Sequence, residues 1–124
     1  MRRRAVRLAR AQGLFNVVGG AWPIVWLRSF EWVFGRKHDV YLQKTSGAFF
    51  LASGLALLRA EPSDDGIAAA RRIGIGAAAV YLAIDLIYVP KREIPKTYLL
   101  DALMEAGWIY AWVRTRPRAR LPEP

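Results

Sequence analysis

The chain has 124 residues, the length of a single domain, is 54% hydrophobic and carries a formal charge of +9. It has no cysteine, which excludes disulfides, thiol catalysis and cysteine-based metal sites. The cations are not spread as on a soluble basic domain: they crowd the first ten residues, one middle linker and the last eleven residues, and leave long uncharged stretches between.

The basic start MRRRAVRLAR runs into an apolar segment, GLFNVVGGAWPIVWL from Gly13 to Leu27, which continues through RSFEWVF. No small-residue cleavage site follows the basic start, and Trp22-Pro23 fits one poorly, so the segment reads as a retained first span. Gly19, Gly20 and Pro23 are expected to kink it. The single histidine, His38, falls in an expected loop. The amphipathic DVYLQKT then leads into SGAFFLASGLALL, Ser46 to Leu58, where Gly47 and Gly54 share one helical face. The third segment, IGIGAAAVYLAIDLIYV from Ile73 to Val89, is stopped by Pro90 and carries small residues at Gly74, Gly76 and Ala77 to Ala79. The fourth runs from Tyr98 to Val113, and its tail RTRPRARLPEP is expected to be irregular.

Neither Leu14 to Leu27 nor Ser46 to Leu58 shows the charged stripe at every third or fourth position that a soluble surface helix carries. Trp22, Trp26, Trp32, Tyr41, Tyr88, Tyr98 and Trp112 cluster near the segment ends, as interfacial aromatics do. These patterns predict an all-α fold: an integral membrane four-helix bundle over residues 1–113, with spans at about 13–34, 40–59, 67–89 and 96–113 and a basic cytoplasmic tail at 114–124. Counting cations on the two sides of such a bundle favours both termini in the cytoplasm of a bacterial inner membrane. The basic termini then meet anionic lipid of the inner leaflet. A soluble helical bundle is the alternative.

Carboxylates interrupt the apolar segments at Glu31, Asp85, Asp101 and Glu105. Asp101 and Glu105 sit one helical turn apart, roughly 6 Å along one face, and Trp108 and Trp112 extend that face. Charged groups in hydrocarbon are costly, so the acids should converge on partners or on water. Arg28, Lys44, Asn16, Tyr81, Tyr88 and Tyr98 are candidate partners. The expected site is therefore a polar, acidic pocket of Arg28, Glu31, Lys44, Tyr81, Asp85, Tyr88, Asp101, Glu105 and Trp108, with Trp22 and Trp26 adding to its walls. The same residues could instead be ion pairs that fix helix register, Arg28 with Glu31 and Lys44 with Asp85 or Asp101.

No phosphate loop, metal-ligand cluster or nucleophile–histidine–acid set can be assembled, and no metal or cofactor is expected. Gly74-x-Gly76 lacks the strand-loop-helix setting of a nucleotide site. The basic ends carry no nucleic-acid motif, so no nucleic-acid partner is expected.

Several strings together resemble a known group. QGLFNVVGGAWPIVWLRSFEWVFGRK, the following LQKTSG, AIDLIYV and YLLDALMEAGW are similar to small bacterial four-helix membrane proteins of unknown function, with a layout like the wider DoxX-like class. The resemblance covers roughly Gln12 to Trp112. It implies a four-helix fold and Arg28, Ser29, Phe30, Glu31, Lys37, Asp39, Asp85 and Asp101 as motif residues, and it implies no reaction. A looser similarity to the sterol-isomerase and sigma-2-receptor-like four-helix proteins implies that intramembrane acids facing aromatics can hold amphiphilic amines or sterols.

The functional expectation is a non-catalytic binding or accessory protein. It would take an amphiphilic small molecule or lipid into the pocket, or dock as a homo-oligomer or on a larger membrane complex through its small-residue faces. The alternatives are an isomerase-like or redox-linked enzyme that uses Asp101 or Glu105 as a proton shuttle, and a purely structural subunit.

Overall fold

A computed structural model describes residues 2–36 and 39–115. The expected loop position of His38 and the expected irregular tail beyond residue 115 lie outside the described residues. Five helices follow in order: α1 (Arg2–Val25), α2 (Leu27–Phe34), α3 (Val40–Leu58), α4 (Asp64–Tyr88) and α5 (Tyr98–Arg114).

This corrects the expectation of a four-helix membrane bundle. Among the described residues only α4 is long and apolar enough to cross a membrane, by length and composition. The others fail for visible reasons. The first apolar segment breaks at Trp26 into two helices, and α2 has eight residues with Arg28 and Glu31 among them. The helix before the break begins at Arg2, so its length is made up by an arginine-rich half. Gln43 and Lys44 dilute α3. Seventeen residues make α5 about 26 Å long, short of a hydrocarbon core of about 30 Å, and it holds two acids. The paired-termini orientation and the multi-pass inner-membrane placement depended on four spans and fall with them.

The basic start is helical because its small and apolar residues recur at three- and four-residue spacing. Ala5, Ala9 and Gln12 face inward while Arg3, Arg4, Arg7 and Arg10 are exposed. Ala5 and Ala9 join Leu57, Ala60, Ala70 and Trp112 in one buried cluster at that end of the bundle.

Two antiparallel pairs build the body: α1 against α3, and α4 against α5. In the first, glycines replace a side-chain layer. A methyl on Gly13 would stand 2.7 Å from the Gly54 carbonyl oxygen, and one on Gly54 would stand 2.6 Å from that of Gly13. Gly20 and Gly47 repeat the arrangement two turns away. The expected shared face of Gly47 and Gly54 thus meets two glycines at the same spacing, so Gly20 is a contact residue. The expected kink in the first segment resolves into a helix that continues through Pro23 and breaks at Trp26, at φ −143° and ψ 70°.

A buried polar chain ties the two pairs together. The Trp112 indole N–H donates to Gln12 Oε1 at 2.6 Å, and Gln12 Nε2 donates to the Gly74 carbonyl at 2.9 Å. Gln12 and Trp112 are both fully buried, so α1, α4 and α5 share one satisfied network in the core. Ser63 caps α4 by accepting from the Gly66 N–H at 3.0 Å, with Asp64 and Asp65 in the favourable first turn.

Candidate functional site

The corner at Trp26 positions the site. Ser29 Oγ accepts from the Trp22 indole at 2.6 Å and donates to the Trp26 carbonyl at 3.0 Å, which pins α2 back against the end of α1. This turns Phe30 and Phe34, one helical turn apart, toward the bundle. Phe30 meets Trp22 edge-on at 5.4 Å, and Phe34 packs on Tyr98 at 4.7 Å, both between ring centroids. Gly35 ends α2 at φ 88°, a backbone conformation that suits glycine, with Pro95 packed where a side chain would stand.

Beneath this aromatic corner lies a cavity of about 900 Å³ between α1, α2, α3, α4 and the start of α5. Its walls are mostly apolar: Leu14, Phe15, Val18, Trp22, Phe30, Phe34, Phe50, Ile84 and Tyr98 contribute. Tyr81 closes one side, bonded through its hydroxyl to Ser46 Oγ at 3.0 Å and to the Ser46 carbonyl at 3.1 Å. The charges in the lining are unbalanced. Among the described residues, Asp39, Asp85, Glu93 and Asp101 line it with Arg36 as the one cation. In a chain of net charge +9, this concentration of acid in one place sets the cavity apart.

Asp85 on α4 and Asp101 on α5 line it side by side. Their side chains hydrogen-bond to each other across the α4–α5 pair, an arrangement that needs a proton between two groups that otherwise only accept. Asp85 is 1% exposed, and its Oδ2 has no hydrogen-bond partner among the described residues. On α5, burial raises Asp101, and the bond from Asp85 pulls the other way. Glu105, one turn further along α5, is pushed up to about 9 by burial, with the charges of Asp101 and Asp85 adding to the shift. Tyr98 is raised by burial and by the same two acids.

The expected site residues divide into three groups. Tyr81, Asp85 and Asp101 line the cavity together. Glu105 is fully buried below it, and Trp108 lies beside the wall residue Phe15, with ring centroids 5.7 Å apart. Arg28 and Lys44 are exposed and do not line the cavity, and neither do the half-buried Glu31 and Tyr88. The Lys91 ammonium sits 5.6 Å from the Tyr88 ring centre. Lys44 is not among the described residues that line the cavity with Asp85 and Asp101. Trp26, an expected wall, is 65% exposed.

Sequence reasoning missed Phe15, Phe34, Phe50, Gln12, Arg36 and Glu93, and it had Phe30 and Asp39 only as motif residues of the family resemblance. The i, i+4 spacing of Phe30 and Phe34 was the available signal for the aromatic corner. Gln12 carried none, because it sits among arginines that read as a solvated arm.

No protein-family model, curated protein or solved structure matches this chain. The family resemblance therefore rests on the quoted strings alone. Among the described residues, no three of His, Asp and Glu are grouped as a metal site would need.

Proposed function

We propose that this protein binds an amphiphilic small molecule whose head group is cationic, with the apolar body along the aromatic wall and the head at Asp85 and Asp101. One observation carries the reading. A fully buried aspartate, one oxygen of which has no hydrogen-bond partner among the described residues, lines a large apolar cavity whose described lining holds four acids and one arginine. An unsatisfied buried carboxyl oxygen is unfavourable, and a donor on the ligand would relieve it. The cavity volume lies within the range of small-molecule sites, and a few polar groups in an apolar lining are what such sites use for orientation. Trp22, Phe34 and Tyr98 add ring faces that attract a cation.

The same reading puts α4 into lipid and the exposed apolar side chains of its neighbours at the membrane surface. Val25, Trp32, Phe49 and Leu103 are between 71% and 88% exposed, while Gln12, Asn16, Asp85 and Glu105 are buried. An apolar surrounding favours that distribution, and α4 is the helix suited to cross it. Arg3, Arg4, Arg7 and Arg10, exposed along the start of α1, would meet anionic head groups.

Calorimetric titration of the full chain in a neutral detergent tests the proposal, with dodecyltrimethylammonium and dodecanol as paired probes. The ammonium compound should bind at least tenfold more tightly than the alcohol, and Asp85→Asn should abolish the difference. Equal affinity for the two probes in the unaltered protein would overturn the cationic assignment. Saturable binding of neither probe would overturn the cavity as a binding site.

A further inference from the structure

Asp85 on α4 and Asp101 on α5 bond to each other across the helix pair, and both line the cavity. Carboxylates only accept hydrogen bonds, so a bond between two of them contains a proton. Two ionised carboxylates at that separation repel, and the shared proton takes the place of a counter-cation. The protein supplies no such cation from the wall beside them. Among the described lining residues the one cation is Arg36, which is exposed.

The other ionisable groups around the cavity point to this pair as the place where a proton is loosely held. Among the described residues, α1, α2 and α3 bring no charged side chain to the lining. Asp39, just before α3, and Glu93, between α4 and α5, line it as exposed residues. On α4, the Tyr81 hydroxyl is bonded to Ser46. On α5, burial raises Tyr98 and Glu105, and the charges of Asp85 and Asp101 raise both further. Ionising the pair therefore tightens the hold of Tyr98 and Glu105 on their own protons.

We propose, building on the cavity as a site for an amphiphilic cation, that a head group arriving at Asp85 and Asp101 displaces the proton they share. An opposite charge within about 4–6 Å weakens the hold of an aspartate on its proton by a factor of about 10–1000. The carboxyl O–H bond breaks, the proton passes through water to the buffer, and both carboxylates then face the cation. One positive charge enters as one leaves, so the charge of the pair with its occupant is unchanged. Protons and cations compete for the pair. Affinity for the cation therefore rises with pH, by up to about tenfold per pH unit for a single exchanged proton.

Dodecyltrimethylammonium is a suitable probe because it has no ionisable proton, so every proton released comes from the protein. Calorimetric titration of the full chain in a neutral detergent, repeated at one neutral pH in buffers of different ionisation enthalpy, counts those protons. About 0.5–1 proton should leave for each cation bound, one being the limit of the exchange. Asp101→Asn replaces the shared proton by an amide N–H, and the release should fall by at least half. Glu105→Gln, outside the cavity lining, should keep it. Saturable binding with no proton released, or with protons taken up, would overturn the exchange and leave the cation site standing. Absence of saturable binding would overturn the site and the exchange together. A release undiminished in Asp101→Asn, or lost in Glu105→Gln, would overturn the aspartate pair as its source. Should the asparagine variant fail to fold or to bind, the proton counts of the unaltered chain and of Glu105→Gln still decide.

Discussion

Gly20 and Gly47 meet backbone to backbone, each occupying the place where a side chain of the other would stand. With Gly13 and Gly54 two turns away, they let α1 and α3 approach closely and set the register of the first helix pair. The walls of the cavity depend on that register, since Phe15, Gly19 and Trp22 come from α1 and Ser46 and Phe50 from α3.

Alanine at either contact glycine should therefore be costly. A methyl on Gly47 would stand 2.6 Å from the Gly20 carbonyl oxygen, and the backbones would have to part. Gly47→Ala should destabilise by about 1–3 kcal/mol, the usual range for overpacking. Gly76, on the outer face of α4 with nothing within 4 Å, is the control. Gly76→Ala should be neutral, or stabilising by up to about 1 kcal/mol through helix propensity. Chemical unfolding of the two variants side by side checks this, and a stable Gly47→Ala would show that the helices are not in close contact.

The core network of Gln12, Gly74 and Trp112 gives a second test. Gln12→Leu removes the acceptor of the Trp112 indole and the donor to the Gly74 carbonyl, and leaves both buried and unpaired. The expected loss is about 1–3 kcal/mol for each stranded group. Trp112→Phe in the same chain removes one of those stranded groups. The double variant should be less destabilised than the sum of the singles, by an interaction energy of about 0.5–3 kcal/mol. Strict additivity in unfolding measurements would mean that the bond contributes nothing.

How much of this was legible in the sequence depends on the kind of signal. The shared face of Gly47 and Gly54 follows from helical spacing alone. Their partners Gly13 and Gly20 have the same spacing, yet glycines beside a proline equally suggest a kink, and spacing within one segment does not say which other segment it meets. The meeting of Asp85 with Asp101 was accessible because each acid lies about one turn from a helix end facing the same connector. Arg28 and Lys44 were assigned to the same place by depth. Depth does not fix azimuth, and long side chains on a helix surface reach solvent instead. The membrane bundle was overestimated because hydrophobic fraction was read over whole segments. The break at Trp26, the dilution of α3 by Gln43 and Lys44, and the seventeen residues of α5 emerge only when each helix is bounded.

Glu105 should make stability depend on pH. Its folded-state value, about 9, lies above the roughly 4.3 of an unfolded glutamate, so the fold favours the neutral acid. The contribution is fully present below the unfolded value and is lost progressively as pH rises through about 9. The unaltered protein should therefore become less stable between about pH 5 and pH 9. Glu105→Gln, which stays neutral, should make that part of the profile shallower, and the slope that remains comes from the buried acid pair, Asp101 included, which burial also raises. Thermal midpoints measured across this interval check the claim, and parallel profiles for the two proteins would remove Glu105 as the source.

Asp85 and Asp101 share a proton but differ in setting, and their variants should separate. Asp85 is 1% exposed with one oxygen unpaired, whereas Asp101 is half-buried on the first turn of α5. Asp85→Asn keeps the shape, supplies its own donor to Asp101 and removes the carboxyl whose second oxygen is unpaired among the described residues. Binding of an alkylammonium probe should fall at least tenfold while stability holds or rises slightly. Asp101→Asn leaves Asp85 as the single acid at that point and frees it from competition for the shared proton, so it should retain most of the affinity. Removing both acids should eliminate the preference for a cation and leave only the weak partitioning of the alkyl chain along Phe30, Phe34 and Trp22. Titration of the three variants with one probe distinguishes these outcomes, and an Asp85→Asn variant that binds as tightly as the unaltered chain would show that the cation does not sit there.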